Sequence, residues 1–122
     1  MNPQDLLKVW DAPDNSKLTP KQLSIRLPIL VAAKISALCD LYPRKTKTEI
    51  IGDLLSTALD QLGAALPSIK GQQIGVCEDG PYYEDDGPCG RFNSLTEKYL
   101  RELEKEAGIT EPMPWPHHVI FE

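Results

Sequence analysis

The chain is short of the residues that most often carry chemistry. Among its 122 residues are two histidines, three cysteines and two methionines, and aromatic residues make up 7%. Cys39, Cys77 and Cys89 are too few and too scattered for a disulfide scaffold, which fits a reducing compartment. Both histidines stand in the C-terminal tail, so no Ser–His–Asp or Cys–His arrangement is expected, and no enzymatic activity. Cys77 and Cys89 do not form a Cys-x-x-Cys pair, and zinc held by them with His117 and His118 is not favoured by the spacing. The acidic run Glu78, Asp79, Glu84, Asp85 and Asp86 lacks the ligand period of a calcium loop. Neither a metal nor another cofactor is expected. No apolar run approaches the length of a membrane span. The opening "MNPQDLLKVWDAP" has no basic start, long apolar stretch or small-residue cleavage site. A cytoplasmic location is the expectation, with no membrane partner.

Base is also scarce, with a net charge of −5, but it is unevenly spread. Residues 17–61 hold seven bases against four acids, a balance of +3. Residues 62–122 hold five against eleven, and the first sixteen hold one against three. A basic segment therefore lies between acidic flanks.

What is present is strong patterning over residues 17–66. "QLSIRL" alternates, with Leu23, Ile25 and Leu27 on one face and Gln22, Ser24 and Arg26 on the other, which predicts a strand. Pro28 ends it and suits the start of a helix over 29–41, whose stripe is Val31, Ile35, Leu38 and Leu41. Thr46 and Glu49 fit a capping box, opening a second helix that carries Ile50, Ile51, Leu54 and Leu55 and ends before Pro67. Gly52 within it costs about 1 kcal/mol relative to alanine, and close approach of a second helix would account for it. Residues 1–16 form an N-terminal arm with the apolar cluster Leu6, Leu7, Val9 and Trp10, expected to make a helical turn or two against the core. Residues 67–122 form an acidic extension. "QIGVC" and "PYYE" read as a short hairpin, a capping box at Ser94 and Glu97 starts a helix over 94–107, and the proline-rich tail reads as extended. Tyr82, Tyr83 and Trp115 read as packing residues of a dimer, and Cys39 as core or helix edge.

A lone strand leaves both of its edges unpaired, and about 45 residues bury little surface. The later "QIGVC" strand could supply the partner; the other solution is a second copy of the chain, pairing its strand about a two-fold axis. Strand, proline, helix, short basic turn and helix, in that order over residues 20–62, resemble the ribbon-helix-helix superfamily that includes the Arc and methionine repressors. "QLSIRLP" and "RKTKTEII" carry the resemblance.

The resemblance implies a mainly α, intertwined homodimer with a two-stranded antiparallel ribbon, followed by the extension with its hairpin and helix. Leu23, Ile25, Leu27, Val31, Ile35, Leu38, Ile51, Leu54 and Leu55 would form the dimer core. It implies binding to double-stranded DNA, with Gln22, Ser24 and Arg26 reading bases in the major groove. Lys21, Arg44, Lys45, Thr46 and Lys47 would hold phosphates around the helix start. A bacterial transcriptional regulator is the function such a set implies as a whole; an antitoxin-like module whose acidic C-terminal region binds a protein partner is the alternative, as is an interaction module without DNA.

Overall fold

A computed structural model describes residues 3–9 and 18–121. Trp10 and Lys17, counted above with the apolar cluster and the basic segment, lie outside the described residues, as do residues 11–16. The chain divides into two compact units, residues 1–61 and 62–122. No helix among the described residues is long and apolar enough to cross a membrane.

The first unit holds α1 (Pro3–Val9), α2 (Ile29–Leu41) and most of α3 (Lys47–Ala65). Pro28 stands just before α2 with φ −54° and ψ 145°, and its carbonyl accepts the Ala32 amide at 3.0 Å. The helix thus starts where proline's missing donor costs nothing. At the head of α3 the Thr46 amide donates to Glu49 Oε1 and the Glu49 amide to Thr46 Oγ1, both at 3.1 Å. This is the reciprocal cap that the spacing predicts. The core is small: Leu6 and Ile50 are buried, with Leu38, Cys39, Tyr42 and Leu54 packed against them.

The second unit holds β1 (Lys70–Cys77), β2 (Gly80–Asp85), α4 (Pro88–Glu106) and β3 (Val119–Phe121). The sheet is antiparallel in the order β1-β2-β3. A tight turn at Glu78–Asp79 joins the first two strands, and Gly80 takes φ 107°, which a side chain would oppose. At the far end of α4, Gly108 with φ 70° closes the helix. Its amide donates to the Lys105 carbonyl and that of Ile109 to the Glu104 carbonyl, the paired bonds of a Schellman ending.

Three expectations are corrected. The fold is not a mainly α ribbon-helix-helix: it has four helices and a three-stranded antiparallel sheet among the described residues, and residues 22–28 belong to no strand. The alternating segment finds no strand beside it among the described residues, so its periodicity is not converted into sheet. The last helix begins at Pro88, not at Ser94, which lies inside it. Gly87 and Pro88 look like turn punctuation, yet a proline at the first helical position is a start signal. The tail ends in a strand: beyond Pro116 no proline interrupts the ladder, and Val119, Ile120 and Phe121 pair with Glu84, Tyr83 and Tyr82.

Because Ile50 is fully buried in so small a core, Ile50→Ala is expected to cost about 2–5 kcal/mol. Urea unfolding followed by circular dichroism measures it, and a loss below 1 kcal/mol, roughly that of an exposed site, would contradict this packing.

Candidate functional site

The densest chemistry lies where β2 runs into α4. Asp85 is the last residue of β2 and Cys89 the second residue of α4. Their approach depends on two glycines. A Cβ on Gly87 would meet the Pro67 carbonyl at 2.7 Å, and one on Gly90 would strike the Asp85 carbonyl. The third member, His118, arrives from the other end of the unit. Glu104 on α4 accepts the Met113 amide at 2.6 Å, while Arg101 donates to the Met113 carbonyl at 2.9 Å and to Glu104 at 2.7 Å. The tail held there returns along β2 as β3, with His118 just before the strand.

Asp85 organises the site. Its side chain is 0% exposed. Oδ1 accepts the amides of Ile69 at 3.0 Å and Gly87 at 2.9 Å, and Oδ2 lies 2.8 Å from His118 Nε2. Burial pushes this carboxyl up, but hydrogen bonds from Ser68, Ile69, Gly87 and His118 outweigh it and hold the group well below the usual carboxylate range. The stabilisation is fully present above the ordinary carboxyl value and is lost as pH falls toward the lowered folded-state value. An ionised Asp85 requires Nε2 of His118 to carry the proton of their shared bond.

Cys89 Sγ lies 3.5 Å from the same Nε2 and 3.5 Å from the Gly63 carbonyl. The expectation that no Cys–His arrangement forms is therefore overturned, since residues 29 apart in sequence meet here. The geometry is nevertheless not that of a nucleophilic relay. In such a relay the orienting carboxylate and the nucleophile use opposite ring nitrogens. Here both address Nε2, so the nitrogen that donates to Asp85 is not free to accept the thiol proton. Asp85, Cys89 and His118 instead converge, with one donor atom from each lying within 4.8 Å of the others. Cys77 is exposed at the hairpin end and is not part of the cluster, nor is His117.

The residues expected to touch DNA lie in the first unit. Lys21, Gln22, Ser24, Arg26, Arg44, Thr46 and Lys47 are exposed. Lys45 differs from them: its side chain is 5% exposed, with Nζ 3.6 Å from Glu49. Of the expected dimer core, Ile35 is buried, Leu38, Ile51 and Leu54 are half-buried, and Leu23, Ile25, Leu27, Val31 and Leu55 are exposed in the single chain. Tyr82 packs within its own unit, 6.1 Å from the Phe121 ring, and Lys70 sits 4.0 Å over Tyr83. A partner chain is not needed to explain either tyrosine.

No protein-family model, curated protein or solved structure matches this chain. Function must therefore be argued from its own geometry.

Replacing Asp85 by alanine strands two amides that now donate to it. The expected loss is about 2–4 kcal/mol in chemical unfolding. Asp85→Asn, which keeps an acceptor for both amides, should cost about half as much; equal losses for the two variants would show that the amide pair is not what Asp85 supports.

Proposed function

We propose that the chain is a homodimeric, sequence-specific DNA-binding protein that acts as a transcriptional regulator. The observation that carries this is an apolar surplus beside a basic, polar edge. Leu23 is 91% exposed and Ile29 90%, with Ile25, Leu27, Leu30 and Val31 also exposed between and after them. So continuous an exposed apolar stretch marks an interaction surface. A second copy is the occupant that the sequence favours, because the alternation gives each copy one apolar row to share and one polar row to keep outside.

Gly52 supports the same partner. Its position in α3 has open space where a Cβ would stand, so nothing among the described residues requires glycine there. Gln22, Ser24 and Arg26 alternate with the apolar row and supply the side chains that discriminate bases: a side-chain amide for adenine, a guanidinium for guanine and a hydroxyl for either. Arg44 and Lys47 flank the start of α3, where the helix dipole favours phosphate. Lys45 is left out of this set because Glu49 engages it. The sequence resemblance over residues 20–62 is what points to DNA rather than to another polyanion.

Sedimentation equilibrium of the full chain should give a dimer, and Leu23→Asp should shift it to monomer. Selection from pooled genomic fragments at two salt concentrations should enrich a sequence. Arg26→Ala should cost about 1–3 kcal/mol at the position it reads, whereas Lys47→Ala should weaken all sequences alike and reduce the salt slope by about one. A dimer that selects no sequence would make the chain a protein-interaction module; a monomer would remove the proposed surface itself.

A further inference from the structure

The convergence of Asp85, Cys89 and His118 goes beyond what a hydrogen-bonded junction needs. We propose that these three side chains form a zinc(II) site, with Oδ2, Sγ and Nε2 as ligands and a water completing the tetrahedron. This does not rest on the DNA-binding reading, since all three residues belong to the second unit.

Carboxylate, thiolate and imidazole are the three side-chain ligand types that zinc takes. Tetrahedral zinc with ordinary bond lengths sets sulfur and nitrogen about 3.6 Å apart and nitrogen and oxygen about 3.3 Å apart. Sγ and Nε2 already stand at 3.5 Å, while Nε2 and Oδ2, at 2.8 Å, must open by about half an ångström; all three ligand atoms lie within 4.8 Å of one another. The carboxylate is pre-set: the Ile69 and Gly87 amides occupy Oδ1 and leave Oδ2 toward the cluster. Such outer bonds orient a ligand and maintain its charge. The His118 side chain is 33% exposed, which gives an ion a way in. The soft thiolate and the imidazole argue against calcium or magnesium, which prefer oxygen.

Binding balances simply. The Cys89 thiol releases its proton to solvent as sulfur binds the ion. The neutral His118 ring gives its Nε2 proton to solvent and takes one from solvent at Nδ1, a change of tautomer that frees the Nε2 lone pair for the ion. No electron is transferred, and zinc joins the end of β2, the head of α4 and the approach to β3.

The test uses the full reduced chain, stripped with chelator and titrated with cobalt(II) alone. One equivalent should produce a thiolate-to-cobalt charge-transfer band in the near ultraviolet with intense visible bands, and zinc should abolish both. Cys89→Ser should remove the charge-transfer band, and His118→Ala should weaken binding by about tenfold or more. Cys77→Ser and His117→Ala should leave the titration unchanged. Because substitution in the cluster can loosen the fold, a second measurement uses the unmodified chain. One equivalent of zinc should slow alkylation of Cys89 by about tenfold or more and leave Cys77 unaffected, as read by peptide mass spectrometry. No charge-transfer band, a band that survives Cys89→Ser, or alkylation of Cys89 indifferent to zinc would overturn the site and reduce the cluster to a hydrogen-bonded junction.

Discussion

The C-terminal unit depends on one requirement, that a buried carboxylate be surrounded by donors. Asp85 is inaccessible to water, and an ionised group in that position is tolerable only when its lone pairs are occupied. Its donors come from separate places: Ile69 ahead of β1, Gly87 at the head of α4, and His118 ahead of β3. One side chain thereby joins the head of α4 to the ends of the β1–β2 and β2–β3 ladders. The glycines at 87 and 90 follow from the same requirement, because a Cβ at either would force the helix start away from the backbone it packs on.

The N-terminal unit has the opposite imbalance. Its polar demands are met locally, by the Thr46–Glu49 cap and by the Lys45–Glu49 pair. Its apolar side chains are the ones without enough company. Leu6 and Ile50 make a core, but Leu23, Ile25, Ile29 and Leu30 find no cover among the described residues. The first unit therefore has apolar surface to share, while the second gathers its polar groups inward. That contrast gives each a different candidate role, association in one and ligand binding in the other.

Local rules were legible in the sequence where one short stretch contains both partners. The start of α2 at Pro28 and the capping box of α3 are contacts between near neighbours, and the patterns that predict them are the contacts themselves. The early start of α4 was equally local but was hidden, since "DGPCG" reads as a turn unless Pro88 is taken as a first helical residue. The converging site was not legible, because Asp85 and His118 are 33 residues apart and meet only through the sheet. Alternation in "QLSIRL" predicted a strand that does not form, because periodicity records which side chains want burial and does not supply a partner for the backbone.

Which of two adjacent histidines enters the site is decided by strand register. Glu84 stands opposite Val119, Tyr83 opposite Ile120 and Tyr82 opposite Phe121. Continuing that antiparallel ladder by one step brings Asp85 opposite His118. A slip of one residue would present the other face of β3 and put His117 in its place. The register is itself held from both ends: Tyr82 packs on Phe121 across the strands, and Arg101 with Glu104 fixes the tail at Met113 before it turns back. The three prolines between Glu111 and His117 keep that returning segment from continuing as helix. The salt-bridged pair on α4, remote in sequence from any of the three donors, thus sets the length of chain available to reach β2, and through it the identity of the histidine that meets Asp85 and Cys89.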